Sequence, residues 1–256
     1  MPEFIYGHWA VTESLRANRR KFDQLLLAEK VEERGAIADI IKLAQERNIP
    51  IKRVQKRILD DLASNANHQS TLLRVGPYPY AEIDDVLNVS QTRGEKPFLL
   101  MLDLLKDPQN VGSLMRVADA VGIHGVILQD RRGVSVTPSV VNASSGAVEH
   151  LNVVQVTNIS QTMKELKRND IWMIGLDLGP DVPSIDKTSL DIPLALVLGS
   201  EGEGMRRLVR DTCDMLISLP MRGRVASLNV ATVGSVALYA AWQSRKWDGW
   251  TPQKQS

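Results

Sequence analysis

Residues 194–205 read LALVLGSEGEGM, and this stretch joins a fully apolar pentapeptide directly to a glycine-rich loop. Five consecutive apolar residues that end at a glycine are typical of a strand buried on both faces, as in a parallel sheet. Three glycines within residues 199–204 let the backbone approach a ligand closely, because glycine has no side chain. Parallel sheets bind ligands at the carboxyl ends of their strands. The stretch therefore predicts an α/β fold with a candidate site directly after this strand.

The same alternation of apolar strand and helical segment extends to both sides of this loop. It is typical of a mostly parallel sheet with helices on both faces. We expect one larger domain over residues 97–243 and a flexible polar tail over residues 244–256. Strands are predicted at 98–102, 125–128, 171–176, 194–198 and 215–219, and helices at 111–121, 159–166 and 230–242.

A separate, smaller α/β domain is predicted over residues 1–76. The sequence GPYPY at 76–80 contains two prolines two positions apart, which stop a helix and favour extended chain. A polar linker over residues 77–96 is therefore expected between the two domains. Within the first domain, strands are predicted at 24–28, 51–54 and 70–75, and helices at 35–45 and 55–63.

Composition excludes several classes of protein. The 256 residues carry 31 Lys and Arg against 30 Asp and Glu, so the net charge of +1 argues against a non-specific polycation. Cys213 is the only cysteine, which rules out an intrachain disulfide and favours the reducing cytoplasm. The four histidines are scattered without a zinc-binding spacing, so no metal is expected. Apolar runs are far shorter than the ~20 residues that span a bilayer, so no membrane association is expected.

The near-zero net charge conceals a local excess of positive charge. Residues 42–57, KLAQERNIPIKRVQKR, contain six basic residues and one acidic residue. A solvated helix face is one explanation of this segment. The other is a basic surface for the phosphates of a nucleic acid, which predicts salt-sensitive binding.

The first of three candidate loops is DPQNVGSLMR, at residues 107–116. Asp107-Pro108 marks a break in regular structure after the strand at 98–102, and Gln109 or Asn110 can cap the helix that follows. Arg116 then falls on the second turn of that helix. The segment is either a capped helix with a solvated arginine or part of a catalytic site.

The second candidate loop is the glycine-rich stretch that follows the strand at 194–198. It lacks the Lys-Ser/Thr of a P-loop, and its two carboxylates, Glu201 and Glu203, would repel a pyrophosphate. A neutral or cationic ligand therefore fits this loop better than a dinucleotide. The alternative is a glycine-rich turn without a ligand.

The third candidate loop is ISLPMRGRVASLNV, at residues 217–230. A strand ends near Pro220, a basic loop follows, and Ser227 can cap the last helix. Capping alone would explain Ser227 but leaves Asn229 without an evident structural role. The apolar last helix can pack in the core or against a second copy of the chain, through Val233, Val236, Leu238 and Trp242.

Taken together and in this order, the three loops resemble the three motifs of the SpoU (TrmH) branch of the SPOUT methyltransferases, over residues 97–242. The stretch LVLGSEGEGMRRL at 196–208 is most similar to the members that methylate a guanosine of 23S ribosomal RNA. The first domain resembles the L30e-like RNA-binding domain of those ribosomal RNA enzymes. YGHWAV at 6–11 and NHQ at 67–69 carry this second similarity.

This resemblance implies a cytoplasmic, homodimeric enzyme that methylates a ribose 2′-hydroxyl of RNA with S-adenosylmethionine. It also implies a deep trefoil knot in the catalytic domain and a guanosine of 23S rRNA as the target. A tRNA ribose 2′-O-methyltransferase and a non-catalytic RNA-binding protein on the same fold are the alternatives. A nucleotide-dependent oxidoreductase is disfavoured by the carboxylates of the glycine-rich loop and by the absence of GxGxxG.

The resemblance also assigns roles to individual residues. Arg116 becomes the catalytic residue, either as a deprotonated base or as a bidentate clamp on a substrate phosphate; arginine is intrinsically a poor base. Leu219 and Leu228 would sandwich the purine of the cofactor. The implied catalytic set is Arg116, Asn110, Glu201, Ser227 and Asn229. The implied cofactor-binding set is Leu198, Gly199, Glu201, Gly204, Ile217, Leu219, Pro220, Ser227 and Leu228.

Overall fold

The computed structural model describes residues 3–179 and 181–251. Its first part contains a four-stranded sheet in the order β1-β4-β2-β3. Strand β4 is antiparallel to both neighbours, and β2 pairs with β3 in parallel. The elements are β1 (Glu3–Tyr6), α1 (His8–Ala17), β2 (Phe22–Ala28), α2 (Ala36–Glu46), β3 (Ile51–Val54), α3 (Lys56–Leu62) and β4 (Thr71–Val75). The three predicted strands and two predicted helices are confirmed, whereas β1 and α1 were not predicted.

The second part contains a six-stranded sheet in the order β10-β8-β9-β5-β6-β7, in which every neighbouring pair is parallel. The predicted parallel sheet is confirmed. Its strands are β5 (Phe98–Leu102), β6 (Gly125–Gln129), β7 (Val153–Val156), β8 (Trp172–Leu176), β9 (Leu194–Leu198) and β10 (Met215–Ile217). Its helices are α4 (Ile83–Arg93), α5 (Pro108–Ala120), α6 (Pro138–Ala143), α7 (Ile159–Lys167), α8 (Arg207–Thr212) and α9 (Val230–Ser244).

The central strands β5 and β9 are buried at every position, which explains their unbroken apolar sequence. Alternate side chains of β5 point into two separate hydrophobic clusters. Leu100 and Leu102 share one cluster with residues of α5 and α9, and Leu99 and Met101 share the other with residues of α7 and α8. Both faces of the sheet are therefore covered by helices, and the carboxyl ends of β5 and β9 meet at one edge.

The segment predicted as a linker, residues 77–96, contains helix α4, which was not predicted. This helix buries only Val86 and Ser90, so its apolar pattern is too weak to stand out in the sequence. Val86 packs where a Cβ at Gly125 would lie, 2.6 Å from two Val86 methyl carbons. A side chain at Gly125 would thus displace the helix from β6.

The segment predicted as a flexible tail starts at the last residue of helix α9 and contacts the second sheet through Arg245; residues 252–256 lie outside the described residues. Helix α9 continues to Ser244, and Arg245 donates hydrogen bonds to the carbonyl oxygens of Lys96, Pro97 and Ile192 at 2.7, 3.1 and 2.6 Å. Burial of this guanidinium lowers the pKa of Arg245 to about 10. The Trp247 ring contacts the neighbouring Trp242 ring edge-on, with 4.9 Å between centroids.

A buried polar seam joins the two parts of the chain. The Arg20 guanidinium contacts both carboxylate oxygens of Glu149 at 3.0 and 2.8 Å, and both side chains are completely buried. Arg20 also donates to Glu3 at 2.9 Å and stacks on the Tyr78 ring, whose hydroxyl donates to the carbonyl oxygens of Val148 and Leu151. Burial raises the pKa of Glu149, and Arg20 opposes that shift.

Within the described ranges, no helix is both long and apolar enough to cross a membrane. The same residues contain no cluster of three or more histidine, cysteine or carboxylate side chains that could hold a metal ion.

Candidate active site

The glycine-rich loop after β9 folds back on itself as a tight backbone hairpin. Ser200 and Gly204 exchange both backbone hydrogen bonds, with N···O distances of 3.0 and 2.9 Å. Gly202 and Gly204 have φ angles of +79° and +70°, which favour glycine. A Cβ at Gly199 would lie 2.0 Å from the backbone nitrogen of Met205. The loop can therefore close only with glycine at position 199.

We expect Gly199→Ala to abolish this closure, because its methyl group would collide with backbone that cannot swing aside. The affinity for S-adenosylmethionine, which the sequence resemblance implies as the cofactor, should fall about tenfold or more, the consequence of at least ~1.4 kcal/mol of overpacking. Isothermal titration calorimetry with S-adenosylmethionine measures this. Gly223→Ala is the matched control, since a Cβ at Gly223 would meet nothing within 4 Å and should leave affinity unchanged. Equal affinities of the two variants would contradict the expectation that the closed glycine-rich loop is needed to bind S-adenosylmethionine.

A buried carboxylate that sequence reasoning missed fixes the far end of this loop. Asp103 follows β5 directly, accepts from the backbone N–H of Arg206 at 2.9 Å, and accepts from the guanidinium Nε at 2.8 Å. The backbone N–H of Asp103 donates to the carbonyl oxygen of Leu198 at 2.7 Å. Both ends of the loop are thus tied to the end of β5. An aspartate immediately after a buried strand was the available signal.

Three of the predicted catalytic residues meet in one hydrogen-bond network. The side-chain amide of Asn110 donates to Glu201, and that of Asn229 donates to Glu201 at 2.9 Å and to Asn110 Oδ1 at 3.0 Å. These residues lie 28 to 119 positions apart in sequence. Because the Glu201 carboxylate accepts from both amides, its orientation is fixed from two directions.

The helix caps differ from the prediction and explain why these asparagines are available. Helix α5 is capped by Asp107, whose side chain accepts from the Gln109 N–H at 3.0 Å, and not by Gln109 or Asn110. Helix α9 is capped by Asn229, whose Oδ1 accepts from Ala231 at 2.8 Å and Thr232 at 3.3 Å, and not by Ser227. Pro108 occupies the first position of α5, where proline is favoured, and the residue before it, Asp107, is therefore the cap. Asn229 therefore both begins α9 and binds Glu201.

A cavity of about 480 Å³ lies at the carboxyl ends of β8, β9 and β10. Of the predicted residues, it is lined by Leu198, Gly199, Glu201, Gly204, Ile217, Leu219, Ser227, Leu228 and Asn229, whereas Pro220 is not part of its wall. Residues that sequence reasoning missed also line it, notably Asp177 and Leu178 after β8, and Met221. The position of Asp177 and Leu178 directly after a strand was the signal for them.

The chemistry of this cavity favours a ligand with an apolar part and a positive charge. Three carboxylates, Asp177, Glu201 and Glu203, lie in a wall that otherwise consists largely of aliphatic side chains and glycine backbone. A second cavity of about 270 Å³ shares Glu201 and Glu203 with the first and reaches Asn110. Glu201 and its amide partners thus stand between two adjoining spaces.

Arg116 lies away from this network within one chain. It is six residues beyond Asn110 in α5, which places it ~9 Å along the helix axis and on a different face. Its exposed guanidinium donates to the Ser145 hydroxyl at 3.2 Å and lines neither of the two cavities. The structure therefore brings Asn110, Glu201 and Asn229 together, places Ser227 in the cavity wall, and leaves Arg116 outside.

The loop between β10 and α9 is exposed from Met221 to Asn229. Its apolar members are notable, because Val225 is 62% exposed and Leu228 is 41% exposed. Of these two side chains, Leu228 lines the cavity of about 480 Å³ and Val225 does not.

Comparison with protein families places both parts of the chain. A model described as the SpoU rRNA Methylase family matches residues 97–239. A second model, described as RNA 2′-O ribose methyltransferase substrate binding, matches residues 4–81. The two matches together cover both sheets.

Similar proteins and structures agree with these matches. The Bacillus subtilis protein YacO, named as a TrmH family tRNA/rRNA methyltransferase, is 41% identical over 245 residues, which are 95% of this chain and 96% of the relative. A Staphylococcus aureus protein with the same family name is 39% identical over 241 residues, covering 94% and 96%.

Solved structures share the fold. The SpoU methyltransferase AviRb from Streptomyces viridochromogenes, in complex with AdoMet, has a TM-score of 0.78 at 22% identity, covering 95% of this chain and 90% of its own. An AdoMet-bound rRNA methyltransferase from Sinorhizobium meliloti has a TM-score of 0.74 at 19% identity, covering 94% and 87%. Because the matched family extends over most of the chain and the curated relatives are this similar, the protein belongs to the SpoU (TrmH) methyltransferase family.

Proposed function

We propose that this chain transfers a methyl group from S-adenosylmethionine to a ribose 2′-hydroxyl of RNA, as an RNA 2′-O-ribose methyltransferase. The observation that carries the proposal is the hydrogen-bond network of Asn110, Glu201 and Asn229 at the junction of the two cavities. Such a network can hold a ribose and the methionine part of a cofactor in a fixed relation.

The residues present fit S-adenosylmethionine, which the family uses. Leu219, Leu228 and Ile217 provide apolar surface for a purine, and the backbone around Gly199 is close enough to the cavity to hydrogen-bond an adenine. Glu201 complements a positive sulfonium. When bound, the cofactor supplies an electrophilic methyl group. The carboxylates that disfavour a dinucleotide pyrophosphate are therefore suited to this cofactor.

Arg116 completes the site from a second copy of the chain in this proposal. Within one chain its guanidinium is exposed and separated from Glu201. A homodimer would place the Arg116 of one copy near the cavity of the other, where the guanidinium can clamp an RNA phosphate bidentately and orient the attacking hydroxyl. The exposed apolar residues of the loop before α9 support such an interface, as do Val236 and Tyr239 on α9, which are 46% and 44% exposed. Leu238, by contrast, is buried in the core.

A guanosine of 23S rRNA is the proposed target, and a tRNA ribose is the second candidate. The first sheet supports an RNA substrate because the exposed residues Lys52, Lys56 and Arg57 form a basic surface on β3 and α3. The L30e-like character of this unit and the cytoplasmic location stay predictions from the sequence.

We also propose the deep trefoil knot for the segment that surrounds the cavity. What supports it is that the loop after β9 and the loop before α9 enclose the same space, while Asp103 ties the first loop to β5. A knotted backbone would keep these walls together without a covalent link.

The experiment that tests the function is to map 2′-O-methyl groups in total RNA from cells with and without the gene. We expect the loss of one modified ribose in 23S rRNA. Loss of a tRNA site instead would select the second candidate. No change at any rRNA or tRNA position, with S-adenosylmethionine still binding in calorimetry, would identify a non-catalytic RNA-binding protein.

A further inference from the structure

The first part of the chain contains a cavity that the methyl-transfer chemistry leaves unused. It measures about 360 Å³ and lies between the amino-terminal turns of α1 and α2 and the loop before β4. Trp9 forms one wall and is 67% exposed, the most exposed large hydrophobic side chain among the described residues. The remaining wall is mostly polar, and consists of His8, Thr12, Arg16, Ala36, Asp39 and Gln69.

The backbone around this cavity is held firmly. The Gln69 Oε1 accepts from the His8 backbone N–H at 2.8 Å, and the His8 Nε2 lies 2.9 Å from the Gln69 carbonyl oxygen. Gly7 has a φ angle of +87° and lies close to Asn142. A Cβ at position 7 would lie 2.7 Å from the side-chain nitrogen of Asn142. Trp9 is therefore presented to solvent from a fixed backbone, although a core position would bury its large apolar surface.

This cavity lies beside the turn that holds Arg116. A Cβ at Gly146 would lie 2.5 Å from the Glu13 Cβ and 3.1 Å from the Trp9 carbonyl oxygen, so α1 packs directly on that residue. The preceding residue, Ser145, accepts the hydrogen bond from Arg116. The backbone of Trp9 and the side chain of Arg116 thus contact the two neighbouring residues of the same turn, Gly146 and Ser145.

We propose that the Trp9 cavity binds one unpaired base of the RNA substrate, close in the strand to the ribose that is methylated. An exposed indole provides a stacking face for any base, and stacking on aromatic side chains is the usual way in which single-stranded RNA is held. Asp39, Thr12 and Gln69 can hydrogen-bond the edge of the stacked base. Arg16, which is also paired with Glu13 at 2.7 Å, is placed to meet the neighbouring phosphate.

This inference rests on the proposed function, because it takes RNA as the substrate. It adds a condition on that substrate: the nucleotide in the Trp9 cavity must be unstacked, as in a loop, a bulge or a strand end. Paired bases in an A-form helix cannot reach an indole in this way.

The test measures the affinity of a fluorescently labelled, unstructured RNA oligomer by anisotropy at fixed salt. We expect Trp9→Ala to weaken binding about tenfold and Trp9→Phe to retain most of the affinity, because phenylalanine still stacks. The same oligomer annealed to its complement should show no difference between wild type and Trp9→Ala. With 23S rRNA, the target in the proposed function, Trp9→Ala should raise KM and leave kcat at saturating RNA unchanged.

Trp172→Ala is the matched control. Trp172 is also an exposed tryptophan, at 46%, but it begins β8 and so lies at the opposite end of the sheet from the cavity at the carboxyl ends of β8, β9 and β10. This variant should bind RNA like the wild type. Trp9→Leu keeps the apolar bulk without an aromatic face, so a loss of affinity in Trp9→Leu but not in Trp9→Phe separates stacking from folding.

Three outcomes would overturn the inference. Trp9→Ala could bind single-stranded RNA as tightly as wild type, or Trp9→Leu could bind as tightly as Trp9→Phe. Trp9→Ala could also halve the particle mass in light scattering, which would place Trp9 in an interface between copies. Failure of the wild type to bind or methylate any RNA is a different result, and it would overturn the proposed function itself.

Discussion

Arg116→Ala should reduce methyl transfer by about 10²–10³-fold while leaving the affinity for S-adenosylmethionine unchanged. The size of the loss is that expected for one preorganised charged group at a reaction centre. The affinity should persist because Arg116 lines neither cavity and contacts Ser145 instead of the cofactor-binding wall. Single-turnover methylation of RNA measures the first quantity, and calorimetry measures the second.

Arg116→Lys distinguishes the two roles that arginine could play, which are a deprotonated base and a bidentate clamp on a substrate phosphate. Lysine keeps the positive charge but cannot form two parallel hydrogen bonds to a phosphate. If Arg116 clamps a phosphate, Arg116→Lys should lose most of the activity, and the loss should be visible mainly in kcat. Wild-type turnover in Arg116→Ala would end the assignment altogether.

The position of Arg116 makes a second measurement decisive. If each site uses residues of two copies, a mixture of inactive Arg116→Ala protein and inactive Glu201→Ala protein should regain about a quarter of wild-type activity. Half of the dimers in the mixture contain one copy of each variant, and each of these mixed dimers has one intact site out of two. A site built within one chain would give no recovery. Recovery would therefore establish that the protein is a homodimer and that each copy supplies its Arg116 to the site of the other copy.

Glu149→Ala should destabilise the protein by about 3–5 kcal/mol, because it removes the fully buried carboxylate partner of the buried Arg20 guanidinium, which then pairs only with the partly exposed Glu3. Removal of Arg20 should cost a similar amount for the converse reason. Urea denaturation monitored by circular dichroism measures the change. Replacing both residues together, as Arg20→Met with Glu149→Leu, should recover much of the loss, since a well-packed apolar pair avoids the desolvation of two charges.

Glu32→Ala is the matched control for this prediction. Glu32 also pairs with an arginine, Arg34, at 2.6 Å, but the two side chains are 68% and 85% exposed. Exposed pairs contribute about 0–1 kcal/mol, so Glu32→Ala should change stability very little. An equally small effect of Glu149→Ala would show that the seam between the two sheets contributes little to folding.

The sequence predicted the second sheet well because its central strands are buried on both faces. Such strands have uninterrupted apolar sequences, as in Phe98–Leu102 and Leu194–Leu198, and these are visible without a structure. Helix α4 was missed for the opposite reason, since only two of its residues are buried and two prolines precede it. Strand β1 and helix α1 were missed because their burial depends on contacts with β4 and α2, which are distant in sequence.

The candidate site was predicted in part, through the similarity of three loops to a known family. Asn110, Glu201 and Asn229, which that similarity grouped as catalytic, lie in one hydrogen-bond network, although no local pattern would join residues so far apart; their catalytic role stays a prediction. Asp103 and Asp177 were missed because their roles depend on partners found only after folding, Arg206 and Arg210. The position of Arg116 outside the network could not be predicted either, since it depends on which face of α5 meets Glu201.

The buried seam of Arg20, Glu149 and Tyr78 has a consequence for target choice. Because this contact fixes the first sheet against the second, the distance from the Trp9 cavity to Arg116 of the same copy, the residue proposed to orient the attacking ribose, is set by the protein and not by the RNA. An RNA that offers the correct base but the wrong number of nucleotides before its target ribose would be held out of reach. The enzyme would then select its site by measuring length along the strand as well as by recognising chemistry.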